Sequence, residues 1–190
     1  MVVGVLALQG AFREHQIMLA GLGVSSAQVR KPADLHNIDA LIIPGGESTT
    51  ISILLADYEL FDRIGLLVEK GLPVLGTCAG TILLAKEIED STLPSLGLMD
   101  LKVRRNAFGR QVDSFEEDLP IPVLGEEPFR AVFIRAPQIT GAGQDVEVLA
   151  RYNSKIVMVR QNKMLAATFH PELTADQRLH KYFLELLKAS

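Results

Sequence analysis

A chain of 190 residues, 48% of them hydrophobic, is long enough to bury one core without disulfides. The formal net charge of -4 argues against a general nucleic-acid surface, and the single cysteine excludes an internal disulfide and a cysteine-rich zinc site. No apolar run approaches the roughly 20 residues that span a bilayer, and the N-terminus is predicted to be a strand rather than a leader. We therefore expect one domain over residues 1–190, in a reducing cytoplasm, with a small molecule or another protein as partner.

The first half of the chain alternates predicted strands and helices. Short apolar runs predict strands at 2–8, 27–30, 40–43 and 73–75. Apolar residues at helical spacing predict helices at 12–22, 49–56, 60–70 and 79–85. Apolar strands separated by helices are typical of a parallel sheet that binds its ligands at the carboxyl ends of the strands.

The second half of the chain contains a run of short strands. Branched and aromatic residues between tight turns predict strands at 98–103, 112–115, 131–134, 146–152, 156–160 and 165–168. An amphipathic helix is predicted at 175–188, capped by Thr174. The whole pattern predicts a three-layer α/β fold whose mostly parallel central sheet carries antiparallel additions at one edge.

Cys78 lies between a predicted strand and a predicted helix. Gly76 and Gly80 flank it at two-residue spacing, which is the pattern of a nucleophile elbow with cysteine in place of serine. Such an elbow exposes the sulfur at the edge of the sheet, where the helix N-terminus favours the thiolate. A lone cysteine is more often a buried structural residue, so the spacing alone leaves both interpretations open.

A cysteine nucleophile needs a base, and the base needs a group that orients it. His170 directly follows a predicted strand, and Pro171 prevents that strand from continuing. Glu172 lies two residues further on, where its carboxylate could contact the imidazole. We predict a triad of Cys78, His170 and Glu172. The other histidines are predicted to be exposed or partly packed: His15, His36 and His180.

A second informative stretch, residues 44–50, also separates a strand from a helix. Its adjacent glycines, Gly45 and Gly46, let a peptide plane turn either way, so backbone N–H groups could face a pocket. The alternative is an ordinary loop followed by a Ser or Thr N-cap. We expect this loop to be poorly formed in the isolated chain.

Four segments carry a resemblance to a known family over the whole chain. They are Gly-Thr-Cys-Ala-Gly at 76–80, Pro-Gly-Gly-Glu-Ser-Thr-Thr at 44–50, the stretch 105–116, and Phe-His-Pro-Glu-Leu-Thr at 169–174. The chain resembles the glutaminase subunits of pyridoxal 5′-phosphate synthase, which belong to the class I glutamine amidotransferases. Arg104 departs from the pattern, since an acidic residue is more usual there.

The resemblance implies a flavodoxin-like fold and a glutaminase that forms a thioester on Cys78. It implies oxyanion donors at Gly46 and Ala79. The sequence has no phosphate loop, dinucleotide fingerprint or zinc signature, so we expect no metal or cofactor within this chain. The resemblance also implies a glutamine site that is formed by six residues: Gly46, Glu47, Ser48, Arg105, Ile134 and Arg135.

The resemblance further implies a partner that receives the ammonia. This partner is a (β/α)₈-barrel synthase that makes pyridoxal 5′-phosphate, with many glutaminase subunits around a larger synthase core. Two alternatives stay open: a glutaminase that serves another acceptor synthase, or a non-catalytic flavodoxin-like binding module in which Cys78 is structural.

Overall fold

The computed structural model describes residues 1–105 and 114–188. The strands in these residues are β1 Val2–Leu6, β2 Ser25–Val29, β3 Ala40–Ile43, β4 Val74–Thr77, β5 Ala85–Ile88, β6 Met99–Arg104, β7 Ser114–Leu119, β8 Phe129–Ile134, β9 Gln138–Ala142, β10 Glu147–Tyr152, β11 Lys155–Gln161 and β12 Met164–Ala167. The helices are α1 Phe12–Gly21, α2 Ser48–Asp57, α3 Leu60–Glu69, α4 Ala79–Leu84 and α5 Arg178–Leu186, and short 3-10 turns lie at Pro32–Leu35, Pro122–Leu124 and Pro171–Leu173. None of the helices in these ranges is long and apolar enough to cross a membrane.

One large sheet runs through the molecule in the order β2-β1-β3-β4-β12-β11-β9-β6-β5, with β10 beside β11. The five strands from β2 to β12 are mutually parallel. Strand β11 is antiparallel to β12, β9 and β10, and β7 pairs with β8 in a separate hairpin. The prediction of an α/β fold with a parallel sheet and antiparallel additions is confirmed.

Strand β3 shows how the sheet divides the core into two. Leu41 and Ile43 pack on one face of the sheet, in the same apolar cluster as residues of α2, α3 and α4. Ala40 and Ile42 pack on the opposite face, together with residues of α1 and α5. Successive side chains of a strand point to opposite faces, so a strand covered on both sides must be apolar throughout. This gives the predicted three layers.

Strand β12 brings two distant parts of the chain together. It was predicted within the antiparallel run, but it pairs in parallel with β4 and antiparallel with β11, with Ala167 opposite Thr77. The N–H of Cys78 continues the ladder by donating to the carbonyl of Ala167 at 2.8 Å. The chain therefore leaves both strands at the same edge of the sheet, which places Cys78 near His170.

Other predictions were wrong in detail. The helix predicted at 79–85 ends at Leu84, and from Ala85 the backbone is extended and forms β5. Strand β9 was not predicted, because its five residues form a strand only by pairing with β6 and β11. Helix α5 begins at Arg178 after Gln177, since Thr174 accepts the N–H of Asp176 in a local turn instead of capping a helix. Residues 112 and 113 of a predicted strand lie outside the described ranges.

Alanine substitutions at Gly80 in α4 and at Gly65 in α3 should change the stability in opposite directions. A β-carbon on Gly80 would overlap the carbonyl oxygen of Ile43, whereas Gly65, within α3, has no atom within 4 Å of that position. We expect Gly80→Ala to lower the free energy of unfolding by about 3 kcal/mol or more, because backbone must move. Gly65→Ala should raise it by about 0.5–1 kcal/mol. Urea denaturation measures both, and equal stabilities of the two variants would contradict this packing.

Candidate active site

Cys78 sits at a strained elbow between β4 and α4. Its φ of 47° and ψ of -104° lie in a region that residues other than glycine rarely adopt. An added β-carbon on Gly76 would lie 2.8 Å from the carbonyl carbon of Gly80, and one on Gly80 would overlap the carbonyl of Ile43. Both flanking positions therefore require glycine, as the spacing predicted.

The imidazole of His170 lies beside Cys78. Both side chains pack against Gly45, where an added β-carbon would overlap the His170 ring and lie 3.2 Å from the β-carbon of Cys78. The Nδ1 atom of His170 is hydrogen-bonded to Oε1 of Glu172 at 2.7 Å. Because Nδ1 faces the carboxylate, Nε2 is the ring nitrogen that remains for the thiol. The structure thus places the three residues predicted as a triad in series.

The surroundings of His170 and Glu172 shift the pKa values of both side chains. Burial alone would lower the pKa of His170, but hydrogen bonds and charges of Cys78 and Glu172 raise it to about 10. Burial would raise the pKa of Glu172. The nearby His15 and the hydrogen-bonded His170 outweigh this effect, so the pKa of Glu172 is lowered from its ordinary value. Near neutral pH the imidazole therefore carries the proton, between an anionic carboxylate and the sulfur.

A cavity of about 300 Å³ opens at the sulfur of Cys78. All six residues predicted for glutamine binding and both predicted oxyanion residues line it. Glu172 does not line the cavity and lies behind the ring of His170. Gln9 and Ile82 also line it and were not predicted. Among the described residues, the lining consists of Gln9, Gly46, Glu47, Ser48, Cys78, Ala79, Ile82, Arg105, Ile134, Arg135 and His170.

Two guanidinium groups lie at this cavity. Arg105 donates from Nη2 to the hydroxyl of Thr49 at 3.1 Å and lies 3.5 Å from the carboxylate of Glu47. Arg135 directly follows β8 and is exposed. A guanidinium group suits a carboxylate ligand, which it can bind through two parallel N–H···O hydrogen bonds. Residues 106–113 of the predicted segment 105–116 lie outside the described ranges. Within the described residues, no group of three or more His, Cys, Asp or Glu side chains could hold a metal ion.

Glu47 caps helix α2. Its carboxylate accepts the backbone N–H of Thr50 at 2.6 Å and that of Thr49 at 3.2 Å, so the alternative of a Ser or Thr N-cap is wrong. A carboxylate can accept two of the unpaired N–H groups of the first turn and also opposes the helix dipole. The N–H of Glu47 itself donates to Oε1 of Gln9 at 2.7 Å, which joins this loop to the end of the first β-α connection.

The Gly45–Gly46 peptide has a defined orientation. The N–H of Gly45 donates to the hydroxyl of Thr77 at 3.1 Å, and its carbonyl accepts the N–H of Ala11 at 3.0 Å. The N–H of Gly46 belongs to the same trans peptide as that carbonyl, so it points away from Ala11. It is the backbone donor of this loop that remains for a ligand in the cavity.

Two histidines were placed wrongly by the sequence. His36 is exposed as predicted, but the side chains of His15 and His180 are fully buried and hydrogen-bond to each other, with 2.9 Å between Nδ1 of His15 and Nε2 of His180. Helical spacing was the available signal. His15 lies three and four residues before the buried Met18 and Leu19, which puts it on the inner face of α1.

Comparisons with known proteins agree along the whole length of the chain. Residues 5–189 match the SNO glutamine amidotransferase family. Pyridoxal 5′-phosphate synthase subunit PdxT of Pelotomaculum thermopropionicum is 68% identical over 97% of this chain and 94% of its own, and that of Carboxydothermus hydrogenoformans is 60% identical over 97% of both. A crystal structure described as a glutamine amidotransferase is 55% identical, covers all of both chains and has a TM-score of 0.95. This chain belongs to the SNO glutamine amidotransferase family.

Proposed function

We propose that this chain hydrolyses L-glutamine to L-glutamate and ammonia through a thioester on Cys78, and that the ammonia passes to a synthase that makes pyridoxal 5′-phosphate. The observation that carries the proposal is the series of thiol, imidazole and carboxylate at the mouth of a cavity lined by two arginines. Its support is the family, together with relatives that are named subunits of pyridoxal 5′-phosphate synthase.

The first half of the reaction forms the thioester. The proton of Cys78 resides on Nε2 of His170, and the thiolate attacks the side-chain carboxamide carbon of glutamine. The developing oxyanion accepts hydrogen bonds from the N–H groups of Gly46 and Ala79, each worth about 3 kcal/mol in comparable sites. The tetrahedral intermediate then collapses as His170 gives its proton to the leaving nitrogen. Ammonia leaves and the glutamyl group stays on sulfur.

The second half releases glutamate. Water attacks the thioester carbonyl while His170 accepts a proton from it, and the same N–H groups hold the second oxyanion. Collapse of this intermediate breaks the carbon–sulfur bond, and the proton on His170 again pairs with the thiolate of Cys78. Glu172 holds the ring orientation and stabilises the imidazolium in both halves. The net change is glutamine and water to glutamate and ammonia.

The glutamine backbone is proposed to bind at the cavity rim. Arg105 and Arg135 are suited to the α-carboxylate, and Glu47 to the α-ammonium group. Ser48 and Ile134 complete the proposed site beside the reacting carboxamide. Thr49 and Glu47 hold Arg105 in place before glutamine arrives, which lowers the entropy that binding must remove.

Ammonia must reach its acceptor without entering bulk water, where it would be protonated and lose its nucleophilicity. We propose that a (β/α)₈-barrel synthase subunit receives it directly within a hetero-oligomer and holds the Gly45–Gly46 loop in the orientation described above. A cytoplasmic location fits this role, because a reducing compartment keeps the Cys78 thiol free. Full turnover by the isolated chain would contradict the proposed dependence of the loop on the synthase.

Removal of the sulfur tests the reaction. We expect Cys78→Ala, assayed with the synthase subunit, to lose at least about 1,000-fold in glutamine hydrolysis, because no other thiol exists in the chain. Glutamate and ammonia are measured together, and thermal unfolding confirms that the variant is folded. Wild-type turnover by this variant would reject the thioester on Cys78, whereas no turnover by the wild-type chain with the synthase would leave a binding module as the better interpretation.

Two neighbouring arginines provide a matched test of substrate binding. We expect Arg105→Met to raise KM for glutamine about 10- to 100-fold with a smaller effect on kcat, because one charge-assisted contact to the carboxylate is lost. Arg104→Met is the control, since Arg104 pairs with Glu89 at 2.7 Å and does not line the cavity. Steady-state kinetics measure both variants, and equal KM changes would contradict a specific role for Arg105.

A further inference from the structure

A buried chain of polar groups continues behind the carboxylate of Glu172. Its Oε1 is hydrogen-bonded to His170, while its Oε2 lies 3.4 Å from Nε2 of His15. His15 in turn contacts His180 through Nδ1 at 2.9 Å. The side chains of Glu172 and His15 have no exposed surface, and His180 is fully buried as well. The reaction described above uses neither histidine.

The tautomers of the two rings follow from their partners. If Nε2 of His180 carries the hydrogen, it donates to Nδ1 of His15, and the hydrogen of His15 lies on Nε2. There it is hydrogen-bonded to the hydroxyl of Thr77, with Oε2 of Glu172 at 3.4 Å. The opposite choice points a lone pair of His15 at the carboxylate. It also leaves a buried N–H on Nδ1 of His180, an atom without a partner among the described residues. An unpaired buried donor next to a lone-pair clash is the costlier arrangement, so the first choice is favoured.

His15 also reaches the loop that supplies a proposed oxyanion donor. Its Nε2 lies 3.1 Å from the hydroxyl oxygen of Thr77, which accepts the N–H of Gly45 at 3.1 Å. One ring atom therefore faces both the carboxylate that orients His170 and the hydroxyl that anchors the Gly45 peptide. Thr77 is the last residue of β4, immediately before Cys78, so these contacts lie directly next to the elbow.

We propose that His15, with its tautomer fixed by His180, is a positioning residue for glutamine hydrolysis. Its Nε2–H is hydrogen-bonded to Thr77 and lies 3.4 Å from the outer oxygen of Glu172, which has no hydrogen-bond partner among the described residues. The positive end of this N–H dipole stabilises the negative charge on Oε2, while Oε1 stays hydrogen-bonded to His170. This inference rests on the proposed function of the site. Groups that orient a metal ligand from behind typically cost about 10- to 100-fold in affinity or activity when they are lost, and we expect a loss of this size here.

The proposal predicts a change in pH dependence. The titratable groups that face Glu172 are His170 and His15, with His180 behind them and Glu14 on the helix of His15. Without the N–H of His15 the buried carboxylate loses a nearby positive dipole, so its pKa rises. A protonated Glu172 cannot stabilise the imidazolium, and activity falls as pH drops through that pKa. The acid limb of the kcat profile should therefore move to higher pH.

The experiment compares three variants in complex with the synthase subunit, from about pH 5 to 9. His15→Leu removes the donor, and His15→Gln restores an N–H near the position of Nε2. Leu19→Ala, on the same buried face of α1, is the control for lost packing. We expect His15→Leu to lower kcat about 10- to 100-fold, to leave KM for glutamine near the wild-type value, and to move the acid limb upward. His15→Gln should recover most of both changes.

Two results would overturn the proposal. One is a His15→Leu enzyme with the wild-type kcat and acid limb. The other is a uniform loss at every pH that Leu19→Ala reproduces and His15→Gln does not relieve, which would mean packing alone. If His15→Leu does not fold, His180→Phe keeps a ring but frees the His15 tautomer, and an unchanged pH profile there rejects the proposal. Failure of the proposed function is separate, because it would appear as hydrolysis by Cys78→Ala.

Discussion

The close approach of three backbone segments at Cys78 is the constraint on which the site depends. Strands β4 and β12 are paired up to Ala167 and Thr77, and the ladder ends with the N–H of Cys78. Gly45 comes so close that a side chain there would overlap the His170 ring. The chain must reverse within one residue, so Cys78 adopts a positive φ. Backbone geometry, rather than any attraction between the functional side chains, brings sulfur and imidazole together.

Burial then gives the side chains their chemistry. A carboxylate as buried as Glu172 is costly unless nearby polar groups offset its lost hydration. Here Oε1 is hydrogen-bonded to His170, whereas Oε2 has no hydrogen-bond partner among the described residues and lies 3.4 Å from Nε2 of His15. In surroundings that exclude water, hydrogen bonds and charges act more strongly than at the surface, which accounts for the raised pKa of His170. The same burial favours neutral His15 and His180, since it lowers the pKa of both rings. The charged side chains of His170 and Glu172 therefore lie next to the neutral histidine pair of α1 and α5.

The sequence was sufficient where the signal was local. Glycines around Cys78 predicted the elbow, and apolar runs predicted the parallel strands, because both depend on neighbours in the chain. The glutamine-binding residues followed from family resemblance, and not from spacing. What failed was non-local: β9 needs its neighbours in the sheet, and His15 meets a partner 165 positions away, in α5. One histidine in one amphipathic helix does not indicate that a second helix carries its counterpart.

The most direct measurement is to quench the complex with acid during turnover of radiolabelled glutamine and to count the label that stays on this chain. Acid preserves a thioester and stops its hydrolysis. The account predicts up to one equivalent of label per chain, on the peptide that contains Cys78, removed by hydroxylamine. Label on a peptide that lacks Cys78 would contradict the claim that the sulfur at this elbow carries the glutamyl group.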